Sequence, residues 1–191
     1  ICTGTFNNSV IIKNIILDNI LPSDIYAKSK ELHFDGNETR VVLLVRFYSR
    51  TELLPFDIIQ NMFPDKQNDC VIATSEHDIA IVKGIAPEAE SADVEKLAQE
   101  ISDTLSTEFY CKVGIGIGTI VNNIKDLARS YKEAQIAIEV GKVFETEKEI
   151  ISYENLGIGR LIYQLPTTLC EMFLSEVFKH GSLESLDAET L

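Results

Sequence analysis

The sequence contains no tryptophan, two methionines and only five prolines in 191 residues. It has no Pro-rich or low-complexity tract of the kind that marks a linker or a disordered arm. Positive charge is also scarce: 17 Lys and Arg face 30 Asp and Glu, for a net charge of −13. A surface that grips phosphates concentrates cations to displace counterions. The densest basic stretch here, residues 125–132, supplies Lys125, Arg129 and Lys132 with Asp126 among them. That balance argues against nucleic-acid binding by this chain itself.

Long apolar runs are missing too. The most apolar stretch, Val10 to Leu21, is interrupted by Lys13, Asn14, Asp18 and Asn19, so no membrane-spanning helix is expected. Cys2, Cys70, Cys111 and Cys170 are scattered without a C-x-x-C pair. They read as thiols in a reducing compartment, and the expected location is cytoplasmic. The start, Ile1-Cys2-Thr3-Gly4, has no initiator Met, basic segment or cleavage signal. It reads as a cut piece of a longer protein, not as a signal peptide.

What is present is a strong alternation of helix and strand patterns. Residues 10–21 carry a helical stripe that is unusually wide, and Pro22 stops it. Ser23 is placed to cap a second helical segment reaching Phe34, and Asp35-Gly36-Asn37 forms a turn. RVVLLVRFYS, residues 40–49, reads as a strand buried on both faces. Thr51 caps a helical pattern that ends before Pro64. Residues 70–75 and 78–84 form a hairpin across Glu76-His77. A helix is expected from Ser91 to Phe109, with Val94, Leu97, Ala98, Ile101 and Leu105 on one face.

CKVGIGIGTI, residues 111–120, alternates apolar residues with glycine, which gives a strand with one bare face. The next helix starts near Asn123 and Asp126, and Gly141 is expected to end it. A short strand follows at 149–153, then helical stretches at 156–165 and 167–179 separated by Pro166. The order from residue 40 to 153 is thus βαββαβ with an extra αβ. The expected class is α+β, a ferredoxin-like sheet with flanking N- and C-terminal helices. The expected division is 1–38 as N-terminal linker helices, 39–155 as the sheet domain and 156–191 as C-terminal helices.

No motif for chemistry survives inspection. GIGIG, residues 114–118, lacks the third glycine of a dinucleotide fingerprint, since Thr119 stands there, and it lies inside a strand. Its bare face suits a helix in close approach. His33, His77 and His180 sit far apart in three elements at no metal-binding spacing. Asp24, Asp35 and Asp57 are no better placed, and neither a P-loop nor a G-x-S-x-G occurs. The expectation is no catalytic, cofactor-binding, metal-binding or DNA-binding residue, no cofactor and no enzymatic activity.

From residue 40 to 153 the element order and the strand Gly114-Ile115-Gly116-Ile117-Gly118 resemble the GGDEF-type nucleotidyl cyclase fold. In active members of that superfamily the resemblance implies a metal-binding Asp on the first strand and a Gly-Gly-Asp/Glu-Glu-Phe hairpin turn. Here the first strand ends Val45-Arg46-Phe47, and the turn is Ser75-Glu76-His77-Asp78 with neither glycine. Phosphoryl transfer relies on cations to neutralise developing charge, and Arg46 cannot hold Mg²⁺. The site reads as degenerate.

A wider resemblance rests on Gly116-Ile117-Gly118, Leu127-Ala128-Arg129-Ser130-Tyr131-Lys132-Glu133-Ala134 and Ile151-Ser152-Tyr153-Glu154-Asn155-Leu156-Gly157. Together these strings resemble the CdaR/PucR family of sugar diacid and purine-catabolism transcriptional regulators. The resemblance implies a central GGDEF-like domain between a sensor and a C-terminal helix-turn-helix. The tail LDAETL, residues 186–191, resembles the linker into such DNA-binding helices, which are absent from the sequence.

The function so implied is a non-catalytic regulatory and dimerisation module of a bacterial transcriptional regulator, with an unknown small-molecule effector. DNA would be reached only through the missing C-terminal domain. The wide stripe at 10–21 is expected to pack against a partner helix in a homodimer, the alternative being that it folds back on its own core. The alternative is a divergent nucleotidyl cyclase or a nucleotide-binding sensor. A ligand, if any, would sit between the end of strand 40–48 and the 75–78 turn.

Overall fold

A computed structural model describes residues 3–31, 34, 36–48, 55–144 and 149–180. Its centre is β1 (Arg40–Phe47), flanked by β3 (Asp78–Gly84) and β4 (Val113–Ile117), both antiparallel to it. The edges are β2 (Cys70–Ala73), antiparallel to β3, and β5 (Ile150–Ser152), parallel to β4. The order β2-β3-β1-β4-β5 is a mixed five-stranded sheet, and the α+β ferredoxin-like expectation holds. A continuous apolar run becomes the central strand because both of its faces are covered: every β1 residue but Arg46 is buried.

The helices divide between the faces. On one side, α3 (Phe56–Met62) and α4 (Ser91–Phe109) cover Val41, Leu43 and Val45 of β1. Val94, Ala98, Ile101 and Leu105 are buried along α4, the face that the period predicts. Asp93 accepts the Glu90 amide at 3.0 Å, which satisfies one orphan donor at that helix start. On the other side, Val42 and Leu44 meet α5 (Leu127–Phe144), α1 (Thr3–Ile16) and α2 (Pro22–Glu31).

The placement of α1 corrects the reading of its apolar stripe. Ile12, Ile15 and Ile16 are buried in the same cluster as β1 and α5, so the stripe packs on this chain's own core. The helix also starts and stops earlier than its apolar pattern. Asp18, in the left-handed region at φ 57°, ends it, with the Asn19 amide reaching the Asn14 carbonyl at 2.8 Å.

Gly141 is a second correction. It does not end α5, which continues to Phe144. The glycine is needed because a Cβ there would collide with Ile151 of β5. The bare face of β4 has the same cause: Cβ atoms on Gly116 and Gly118 would strike the carbonyl oxygens of Ala134 and Ser130. The close-approach reading of GIGIG holds.

Beyond β5, a 3-10 turn (Tyr153–Leu156) leads to α6 (Gly159–Gln164), which packs on α5, and to α7 (Thr167–His180). The predicted helix cap at Thr51, the turn residue Asp35, Cys2, His33 and the tail 186–191 lie outside the described residues.

Candidate functional site

The C-terminal end of β1 and the β2–β3 hairpin meet at an open cleft of about 480 Å³. Its lining includes Arg46, Tyr48, Ser75, His77, Asp78 and Lys142. This is where sequence reasoning placed a ligand, if one binds. The hairpin brings its residues there through the strand register: Arg46 faces Asp78 directly across the β1–β3 ladder. The turn is held by the Thr74 amide on the Asp78 carbonyl at 3.0 Å, and the Phe47 amide donates to the His77 carbonyl at 2.9 Å.

Arg46 and Asp78 form a two-pronged ion pair. Nε donates to Oδ1 at 2.8 Å and Nη2 to Oδ2 at 2.9 Å. The hydrogen bonds that Asp78 accepts hold the Arg46 guanidinium above its ordinary pKa, overriding the opposing effect of burial. The fork occupies both carboxylate oxygens of Asp78. A divalent cation here would have to displace the guanidinium and accept its positive charge as a neighbour. Among the described residues, no group of three or more His, Cys, Asp and Glu is arranged to hold a metal ion.

Tyr48 forms the opposite wall. Its hydroxyl lies over Gly114, where any Cβ would collide with it. Burial raises the phenol's pKa, Arg46 opposes that rise, and the hydroxyl is neutral at physiological pH. The Lys142 ammonium stands 4.7 Å from the ring centroid, from the last turn of α5. The cleft therefore carries two cationic side chains, Lys142 and an Arg46 already paired to Asp78, with Glu139 close enough to act on Arg46 and Glu149 on Tyr48. It can attract an anion through Lys142.

Sequence reasoning found Arg46, the hairpin and the cleft. It missed Tyr48 and Lys142. Tyr48 had a signal, since it directly follows the central strand. Lys142 had none, because only the packing of α5 brings residue 142 beside residue 48.

The strings that carry the family resemblance lie elsewhere, and their work is structural. The Ser130 hydroxyl accepts the Val42 amide at 3.1 Å and donates to the Thr119 carbonyl at 2.8 Å, so one side chain ties α5 to β1 and to the end of β4. Glu133 accepts from the Thr119 amide at 3.0 Å and from its hydroxyl, with Arg129 beside it at 3.7 Å. In the Tyr153–Gly157 string, Glu154 accepts from Ser91 at 2.6 Å and Asn155 donates to Glu95 at 2.9 Å, anchoring the 3-10 turn to the start of α4. His77 is exposed in the hairpin, and Asp24 and Asp57 fall in α2 and α3, away from the cleft.

No helix among the described residues is long and apolar enough to cross a membrane. A search of curated proteins returns no match to this chain. A protein-family model, the GGDEF-like domain, matches residues 18–140. The matched region starts just after α1, spans β1 to β4 with the cleft's hairpin, and ends within α5. The sheet order, the glycine-faced β4 and this match agree, and the chain belongs to the GGDEF-like domain family.

Proposed function

We propose that this chain is a non-catalytic regulatory and dimerisation module of a cytoplasmic bacterial transcriptional regulator of the CdaR/PucR type. DNA is reached through a helix-turn-helix outside these residues, and an effector acts on the assembled regulator. The observation that carries the non-catalytic reading is the Arg46–Asp78 fork. It places a cation where nucleotidyl transfer needs metal-binding carboxylates, and it engages the remaining carboxylate on both oxygens. The regulator type is supported by the motif strings around Ser130 and Tyr153 together with the family match. Incubation with GTP or ATP and Mg²⁺ or Mn²⁺ tests the first point. No diphosphate or cyclic product is expected, and turnover abolished by Arg46→Ala would overturn the reading.

The open cleft favours a second reading, a sensor that binds a nucleotide or a related anion without transforming it. Lys142 and the paired Arg46 supply the positive side, and the Tyr48 ring supplies a wall. Calorimetry with GTP, ATP and cyclic dinucleotides decides: heat that Lys142→Ala removes supports the sensor, and no heat with any of them sinks it.

A further inference from the structure

The last two helices present an apolar surface that the described residues leave uncovered. On α7, Leu169, Met172, Phe173, Leu174 and Val177 are each 47–65% exposed, with Cys170 among them. At 3.6 residues per turn these six positions spread over roughly 200° of the helix circumference. A helix that packs on one neighbour needs a stripe of about 100°. A stripe twice as wide fits a helix lying between two neighbours, as in the interior of a bundle. Yet α7 makes at most glancing contact with the other described elements. On α6, Leu161 and Ile162 are also exposed, at 63% and 43%.

Charge identifies the occupant. The chain as a whole carries −13, so two copies repel one another over most of their surfaces. Residues 156–180 are the exception. Arg160 and Lys179 balance Glu171 and Glu176, which leaves this segment neutral. It is a place where a second acidic copy can approach without like-charge repulsion.

The area agrees. Burying a large apolar side chain removes roughly 60–120 Å² from water, by the usual conversion of its transfer free energy. Ten such side chains between Ile158 and Val177 are 43–71% exposed. Two copies together would bury on the order of 600–1,200 Å² of apolar surface, which matches the apolar share of a standard homodimer interface.

We infer that α6 and α7 are the homodimer interface, pairing with α6 and α7 of a second copy about a two-fold axis to form a four-helix bundle. This rests on the dimerising reading above and replaces the 10–21 stripe as its surface. Two copies of a two-helix unit supply four helices, and the same patch meets itself, as two-fold symmetry requires. Phe173 lies at the middle of the arc, between Leu169 and Val177, and forms the centre of the contact, while Leu174 closes one edge of it.

Sedimentation equilibrium on the unsubstituted chain and on Phe173→Glu/Leu174→Glu tests the inference, with circular dichroism on both as a check of fold. The unsubstituted chain is expected to dimerise, and the double variant to weaken dimerisation by more than about 30-fold with an unchanged spectrum. An unsubstituted chain that stays monomeric overturns the dimerising reading and the interface together. A double variant that dimerises as before overturns the interface alone. Should the double variant lose its fold, Cys170 in the unsubstituted chain decides. Thiol labelling at Cys170, located by peptide mass, is expected to slow at least several-fold as protein concentration rises, whereas labelling independent of concentration overturns the interface.

Discussion

Two apolar helices of the same length meet opposite fates in this molecule. Both α1 and α7 have 14 residues, and both carry more apolar side chains than a surface helix needs. Ile12, Ile15 and Ile16 of α1 are nearly inaccessible, whereas Leu169, Met172 and Phe173 of α7 are about half exposed. The difference lies in what each finds to cover. α1 reaches a sheet face that α5 leaves partly open, where Val42, Leu44, Cys70 and Ile72 need a lid. α7 follows β5 and α6, after both faces of the sheet have been closed. Stripe width records how much surface a helix is to bury; the order of elements along the chain decides whether its own core has room.

Charge insertion should break this contrast most sharply. Ile15→Asp puts an unpaired carboxylate into a packed apolar seam, and the expected loss exceeds about 4 kcal/mol, enough to unfold a domain of ordinary stability. Phe173→Asp, the matching change on α7, should alter the unfolding free energy of the isolated protomer by no more than about 0.5 kcal/mol. Urea titrations followed by circular dichroism, at protein concentrations low enough to hold the chain monomeric, measure both. Similar losses from the two substitutions would mean that α7 is as much a part of the core as α1.

The seam between α5 and β4 gives the next two effects. Gly116→Val drives a branched side chain against the Ala134 carbonyl and Ile138, and costs about 3 kcal/mol unless the helix moves away. Ser130→Ala removes the acceptor for the buried Val42 amide and the donor to Thr119, and costs about 2 kcal/mol. Urea midpoints measure each. A neutral Ser130→Ala would show that the string around Ser130 serves something other than the fold. Lys142→Ala, on the exposed end of the same helix, provides the control and should leave the midpoint almost unchanged.

Much of this architecture is legible in the sequence, for reasons that separate one element from another. The α4 helix is read end to end, because its apolar spacing, its acidic first turn and its single buried face all point the same way. The glycines of β4 announce a close approach because nothing else explains a bare strand face. Gly141 misleads, since glycine at a helix end and glycine under a crossing strand look the same until β5 is in place. The 10–21 stripe misleads for a related reason: periodicity shows that a face is apolar and is silent about what covers it. The cleft is legible only in part. The end of strand 40–48 and the 75–78 turn are expected to share the cleft, but the Arg46–Asp78 pair comes from the β1–β3 ladder and Lys142 arrives from almost a hundred residues away through the packing of α5.

A smaller loss than that of Ser130→Ala tests how tightly α1 closes its seam. Cys70 lies at the edge of the sheet beneath α1, with its sulfur 4.0 Å from the Ser9 hydroxyl. Burial pushes the thiol up to about 11 from an ordinary 9.0, and Ser9 only partly opposes this. The unfolded chain therefore releases this proton before the folded chain does. The associated stability is fully present below pH 9 and is lost as pH rises from 9 toward 11. At pH 10 the loss attributable to Cys70 is about 1.4 kcal/mol. The measurement is the difference in pH dependence between the unsubstituted chain and Cys70→Ala, because lysines and tyrosines titrate in the same window and cancel in the comparison. Equal slopes would mean that water reaches the thiol and that α1 opens readily. A shallower slope in Cys70→Ala, restored toward that of the unsubstituted chain by no change on α7, would place the seal in α1 and leave the exposed helix free for its partner.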